Sequence, residues 1–413
     1  MSIDVCICTH NPRLELFTII LTAIANQTLS KDAYQVWIID NASNPPISNS
    51  DLAPLAQAGI TYYLLQEPRL GTMYARELAS QAIPGEALIL VDDDNELSPN
   101  YLEIAIEILD RCPEIGYFGG KLLSGIKVDY PQWMEELLPY LGIKNLGDEP
   151  ISKCIEGDYY WGEWEPPCAG AVIRKVVLQQ YFKNLQKLAP NLVLGRRGKQ
   201  GLLSMADSWL ANCAYELGLE CAYQPRLQLI HHINPERLQF EYLFKLLYNY
   251  GRSDVILKKI LDRPIRSNSI ESIAEKIEWW QTGGISIGYF ICLMALEAGF
   301  NAELSCDNSI DFVTLLEQAF QQKLTSDLQE LVTTQQTLTI TQQELTDDRQ
   351  ELTAIQQTLT ITQQELTVVQ QTLTITQQEL NAAQQELSDA RAQIRLMEQS
   401  KFRQLLHSFT SLR

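Results

Sequence analysis

Three short apolar runs, Val5-Cys6-Ile7-Cys8, Val36-Trp37-Ile38-Ile39 and Ala87-Leu88-Ile89-Leu90-Val91, each stop abruptly at polar residues. Helical patterns lie around them, over Leu14 to Asn26, Met73 to Ala82 and Asn100 to Cys112. Short apolar strands alternating with helices build a parallel sheet covered by helices. The expected fold class is therefore α/β, with a mostly parallel sheet. Ligands of such sheets bind beyond the carboxyl ends of the strands. The residues that halt each run are thus the first candidates for chemistry.

The chain has 413 residues, of which 46 % are apolar, enough for two or three domains with buried cores. It carries 51 acidic and 32 basic side chains, a net charge of -19. Nucleic-acid binding needs clustered Lys and Arg to neutralise phosphates, and no such cluster occurs. The nine cysteines are scattered, at 6, 8, 112, 154, 168, 213, 221, 292 and 306. None forms a C-x-x-C pair, so neither a structural zinc site nor a disulfide framework is indicated. A reducing, cytoplasmic setting fits this usage. The first residues read as a strand and not as a signal peptide. The most apolar later stretch, Ile285 to Leu296, is too short to span a bilayer. It is expected to be a buried helix. The alternative is a helix lying on a membrane surface, giving peripheral contact at the inner face. Trp279-Trp280 is read as core, or as a membrane-facing pair under that alternative.

Residues 241–320 look helical, with Phe240, Leu243, Phe244 and Leu247 at helical spacing. Beyond them the chain repeats. Gln-Gln-Thr-Leu-Thr-Ile-Thr-Gln-Gln-Glu-Leu begins at 335, 356 and 370, and a leucine recurs every seventh residue from Leu324 to Leu387, followed by Ile394. A heptad sustained this long predicts a coiled coil over 321–400, with 324–397 about 110 Å long if fully helical, and a tail at 401–413. The companion seam position is half polar, with Thr334, Thr341, Asp348 and Thr362 among its members, so a weak or register-loose assembly is expected. Thr-Leu-Thr-Ile-Thr would also suit a strand, but the heptad favours the helix. Such a tail would make the protein a homo-oligomer or tether it to a partner protein.

The sharpest local feature is Asp92-Asp93-Asp94-Asn95-Glu96 directly after the third apolar run. Carboxylates this close raise one another's pKa unless a cation sits among them. Hard oxygens at the end of a parallel strand suit Mg²⁺ or Mn²⁺ bridging to phosphate. One alternative is a solvated acidic turn. Another is a calcium loop, because Asp92, Asp94, Glu96 and Glu103 fall at the spacing of an EF-hand. Leu97 stands where that loop needs glycine, and a strand precedes it where a helix is required. Asp40-Asn41 ends the second run in the same manner, and Asp40 is read equally as a turn cap or as a ligand contact. The first turn, Thr9-His10-Asn11-Pro12-Arg13, lacks the G-x-G-x-x-G of a dinucleotide site. In Tyr159-Tyr160-Trp161-Gly162-Glu163-Trp164, the rings of Trp161 and Trp164 could stack on sugar C–H faces, or simply pack in a core.

Several segments together resemble glycosyltransferase family 2. They are Ile3 to Arg13, Ile38 to Ser43, Gly71 to Arg76, Val91 to Asp94, Pro166 to Arg174, Leu194 to Lys199, Leu203 to Asp207, and Ile230 to Ile233 with Arg237-Leu238. The resemblance covers roughly residues 1–255, and its later pieces look most like enzymes of hormogonium polysaccharide synthesis. It implies a GT-A-type, doubly wound domain over 1–240. It further implies an inverting, metal-dependent transfer from a nucleotide-sugar donor, UDP-linked, to a hydroxyl of a glycan or lipid-linked acceptor. By the same resemblance Asp40 would contact the uracil, Asp92 the ribose and Arg76 the diphosphate. Thr9, Asn11, Arg13 and Asp93 belong to the donor-binding segments. Asp94 would hold Mn²⁺ or Mg²⁺ with His231, for which His232 is the near rival. Gly170, with Trp161 and Trp164, would lie on the acceptor side.

Family members carry a pair of acids where this chain reads Ala206-Asp207, which leaves Asp207 as the candidate base. The missing acid motivates a competing reading: a catalytically degenerate nucleotide-sugar-binding scaffold that assembles partners through its coiled coil. A nucleotidyltransferase is disfavoured because no Gly-rich, Lys-containing phosphate loop is present.

Overall fold

A computed structural model describes residues 2–155, 161–187, 205–265 and 270–304, with isolated positions at 321, 325, 329, 332–335, 360 and 364. The chain divides into two units, Met1–Ala319 and Phe320–Arg413.

The three apolar runs are strands β1 (Ile3–Thr9), β2 (Tyr34–Asp40) and β4 (Ala87–Val91), and the three helical patterns are α1 (Leu14–Ala25), α3 (Thr72–Ala82) and α4 (Tyr101–Arg111). Their burial explains the continuous apolar character. Every residue of β4 is buried, because alternate side chains enter cores on opposite faces of the sheet. Ala87, Ile89 and Val91 pack with Phe17, Ile20 and Ile24 of α1 and Leu102, Ala105 and Ile108 of α4. Leu88 and Leu90 pack with Ala75 and Ala79 of α3 and with two later helices, α5 (Lys175–Leu185) and α6 (Ala206–Glu216).

The first four strands, with β3 at Tyr62–Gln66 after the short helix α2 (Ala53–Ala58), are parallel in the order β3-β2-β1-β4. The other half of the nine-stranded sheet is mixed. After β5 (Asn95–Leu97) come β6 (Ile115–Ser124), β7 (Ile151–Lys153), β8 (Val172–Arg174) and β9 (Glu220–His231). β8 inserts antiparallel between β4 and β6, β6 and β9 are parallel, and β5 and β7 pair antiparallel with β9. The consequence for function lies in the β5–β9 register. Asn95 pairs with His231, so the acid turn 92–94 is carried against the end of the last strand.

The helical region contains α7 (Phe240–Ile260), α8 (Ile270–Gln281) and α9 (Ile287–Glu303). α9 packs against α7, burying Phe290, Cys292, Met294 and Ala295. Trp280 stacks on Phe290 with ring centroids 4.6 Å apart, whereas its neighbour Trp279 is half exposed. The apolar stretch is thus core, and only one indole of the pair joins it. No helix among the described residues is long and apolar enough to cross a membrane.

In the second unit the described positions are helical, and Thr325 and Thr333 donate to the carbonyls of Gln321 and Gln329 one turn back. The heptad leucines, the coiled-coil pairing and the tail at 401–413 lie outside the described residues. So do Tyr159, Tyr160, Leu194 to Lys199, Leu203 and Ser204.

Candidate active site at the carboxyl ends of the strands

The first-strand turn and the second-strand turn are laced together. The Asn11 amide nitrogen donates to Ser43 Oγ at 2.9 Å, and Asn11 Oδ1 accepts from the Asn44 amide at 2.7 Å. Asp40 is 2 % exposed and accepts from the Ser43 and Ile47 amides at 3.1 and 3.0 Å, one on each oxygen. That is the geometry of a turn cap, one of its two expected roles. Asn41 likewise spends its amide on the Glu67 and Arg69 carbonyls and on the Gly71 amide. Thr9 is buried, and its hydroxyl donates to Asp93 Oδ2. Arg13, at the mouth of α1, reaches across to the His232 carbonyl at 3.2 Å.

The three consecutive aspartates separate by environment. Asp93 turns toward β1. Burial, then the neighbouring carboxylates Asp94 and Asp92, push its pKa up to about 7, against the opposing pull of Thr9 and Arg13. Asp94 turns toward β9. Its Oδ1 accepts from Asn95 at 3.0 Å, while Oδ2 lies 3.4 Å from His231 Nε2 and 3.6 Å from Arg237 Nη1. His232 pairs instead with Glu96 at 2.7 Å, and its amide donates to the Asp94 carbonyl at 2.8 Å. Of the two rivals, His231 therefore faces Asp94.

His231 is 5 % exposed, and its Nδ1 has no hydrogen-bond partner among the described residues. The carboxylate oxygens of Asp94 suit a hard divalent ion. Among the described residues no cluster of three His, Cys, Asp or Glu side chains that could hold a metal ion forms. An Mg²⁺-like ion commonly takes one or two protein ligands and leaves the remainder to phosphate and water. Asp94 supplies a carboxylate of that mode, and the His231 imidazole adds a nitrogen donor of the kind that first-row transition ions accept.

Asp207 stands in the first turn of α6, where the positive end of the helix favours an acid. Ala206 begins the helix and supplies no second carboxylate there. Arg76, which the resemblance set near a diphosphate, is buried and feels the charge of Asp207. Its Nη1 donates to Cys168 Sγ at 3.0 Å, and Cys168 in turn contacts Asp207 and the Tyr117 hydroxyl. Burial works against the Arg76 charge, but Cys168, Asp92 and Asp207 outweigh it and hold the guanidinium firmly protonated. Arg76 thus links the Asp92 side of the site to the Asp207 side.

Acceptor-side candidates divide. Trp161 is 53 % exposed, whereas Trp164 packs over Gly162 with Lys153 4.4 Å from its ring centroid. Gly170 adopts φ +72°, and a Cβ there would lie 2.2 Å from Leu229 and 2.9 Å from the Tyr101 hydroxyl, which donates to the Gly170 carbonyl. Its Cβ side is filled by packing. Two residues given no role by sequence stand out in the site. Arg237 sits beside Asp94, and Lys144 reaches toward Trp161 with its Nζ 5.7 Å from the ring centroid. Arg237 belongs to a segment that carries the family resemblance. Lys144 lies in no motif.

Residues 4–181 match the family model for glycosyl transferase family 2. No curated protein matches the chain. Among solved structures it is similar to S. aureus TarS at 16 % identity and TM-score 0.38, over 73 % of this chain and 50 % of that one. The chain therefore spans half the length of that structure. TarS 1-349 in complex with UDP-GlcNAc matches at 16 % identity and TM-score 0.37, covering 73 % and 84 % of the two chains. The mannosyltransferase PcManGT from Pyrobaculum calidifontis, in complex with GDP-Man and Mn²⁺, matches at 14 % identity and TM-score 0.41, covering 80 % and 83 %.

Proposed function

We propose that this protein is a nucleotide-sugar-dependent glycosyltransferase. It would use Mn²⁺ or Mg²⁺ and invert the anomeric centre while extending a glycan or lipid-linked acceptor in polysaccharide synthesis at the cytoplasmic face. The family match over residues 4–181 supplies the reaction class. The observation that carries the reading is that His231 and Arg237, from one segment late in the chain, lie 3.4 and 3.6 Å from Asp94.

Asp94 and His231 would hold the divalent ion, which when bound offsets charge on the departing diphosphate. Arg237, beside Asp94, is the protein's own cation for that leaving group. Asp207 takes the proton of the acceptor hydroxyl as its oxygen attacks the anomeric carbon from the face opposite the leaving group. Arg76 acts one step back, holding Cys168 and Asp207 in place. Asp40 and Asn41 shape the nucleotide side of the cleft as loop braces. In this reading the lone acid at 207 suffices, and the heptad tail serves self-association or partner tethering.

Thermal melts of the full chain with UDP, UDP-GlcNAc and GDP-Man, each with and without Mn²⁺, test the donor site. A ligand bound only by the folded state raises the melting temperature. Stabilisation by one nucleotide that needs Mn²⁺ and disappears in Asp94→Asn is the expected result. No stabilisation by any of them would overturn the reading.

A further inference from the structure

Lys144 has a fixed backbone and an underused side chain. Its amide donates to the Leu122 carbonyl at 3.0 Å and its carbonyl accepts from the Leu122 amide at 2.8 Å, which pins the residue beside β6. Its ammonium donates to the backbone carbonyl of Glu165. No carboxylate lies within 4.0 Å of Nζ among the described residues. Burial pushes the lysine pKa down to about 8, and the more distant charges of Glu165, Asp207 and Glu163 recover only part of the loss. An ammonium has three donors, and a charge taken from water without a counter-ion is costly. Such a group is expected where a ligand brings the counter-charge.

The neighbourhood says which ligand. Trp161 presents a half-exposed indole within reach of this ammonium, and aromatic faces suit sugar C–H surfaces. Asp207 lies close enough to act on Lys144 electrostatically, so the pair borders the proposed base. We propose that Trp161 and Lys144 form an acceptor subsite for an anionic sugar, with the ring stacked on Trp161 and a carboxylate or phosphate received by Lys144. The inference rests on the glycosyltransferase reading, and it narrows the acceptor to acidic glycans or glycan phosphates.

Methyl glucuronide and methyl glucoside differ only in the carboxylate and serve as matched probes, with glucose 6-phosphate as the phosphate arm. Their binding to the full chain is measured by equilibrium titration, with and without UDP and Mn²⁺. The glucuronide or the phosphate should bind about tenfold or more tightly than the glucoside, the scale of a hydrogen bond to a charged group. Lys144→Met should erase that preference, Lys144→Arg should keep most of it, and Trp161→Ala should weaken all three sugars alike. Melting temperatures of the variants confirm that each is folded. Equal binding of charged and neutral sugars by the wild type, or an unchanged preference in Lys144→Met, overturns the subsite. Competition between the glucuronide and a bound nucleotide-sugar would assign the anion to the donor and equally overturn the acceptor assignment. Failure of UDP to bind in the same samples counts against the glycosyltransferase reading and leaves the sugar comparison legible.

Discussion

The two flanks of the cleft treat their polar side chains differently. Where β1 and β2 end, Asp40 is satisfied by its own loop, and Thr9, Asn11 and Asn41 by the loops beside them. Around β6 and β9, among the described residues, His231 Nδ1 and Arg237 Nε are buried without hydrogen-bond partners and Lys144 meets no carboxylate at ion-pair distance. Trp37 Nε1, Trp164 Nε1 and Trp209 Nε1 share this shortfall elsewhere in the described residues, so what sets the second flank apart is its charge: His231 and Arg237 beside Asp94, and the buried ammonium of Lys144. The first flank is a scaffold that shapes a cleft. The second is the surface that contacts what enters it. If so, substitutions on the first flank should act mainly on stability, and those on the second mainly on binding and turnover.

The largest effect should come from Asp207. Asp207→Asn keeps the shape of the side chain and removes its capacity to accept a proton. Transfer should fall by about 10²–10⁴-fold, the usual contribution of a general base, with Mn²⁺-dependent UDP binding retained. Initial rates and melting shifts on the same preparation check both halves. Full activity would break the comparison at its centre and return the chain to the scaffold reading that Ala206 invites.

Asp40 tests the opposite flank. Its carboxylate serves two backbone amides in a buried turn. Asp40→Ala leaves both without a partner, at a cost of roughly 1–3 kcal/mol for each buried group. Urea denaturation should show the loss, while material that remains folded should still bind nucleotide. A variant of unchanged stability that no longer binds UDP would instead make Asp40 the base-reading contact that the family resemblance implies.

The difference between the flanks also explains what could be read in the sequence. β1, β2, β4 and the helices around them announce themselves, because strands buried on both faces must be continuously apolar and each ends in residues that close a local turn. Asp94 was legible for the same reason. β8 and β5 are only three residues each, and Asn-Glu-Leu has no strand signature. β6 carries Gly116, Gly119 and Gly120, and β9 is interrupted by Pro225, which hides both from a pattern search. The antiparallel half of the sheet was therefore missed. Arg237 and Lys144 acquire meaning only through pairings that this half creates: β5 with β9 for Arg237, and Leu122 with Lys144. At Gly170 the fold supplies a reason for glycine that the motif did not, since Tyr101 and Leu229 leave no room for a side chain.

The smallest expected effect is also the most specific, because it runs against the usual direction of mutation. Lys144 has a folded-state pKa of about 8, below the value near 10.4 expected for an unfolded lysine. Between those values the unfolded chain holds the proton more tightly, so the wild type gains stability as pH rises from about 8 to about 10.4. Below 8 both states are protonated and the full penalty of burying the ammonium is present. Lys144→Met has a similar volume and no charge. It should therefore melt a few degrees higher than the wild type at pH 7, with the gain shrinking across that alkaline window. A stability gain coupled to loss of the preference for acidic sugars is the signature of a residue kept for binding at the expense of the fold. If Lys144→Met melts lower at pH 7, the ammonium stabilises the fold through its contacts with Glu165 and Trp161, and Lys144 belongs with Asp40 among the braces.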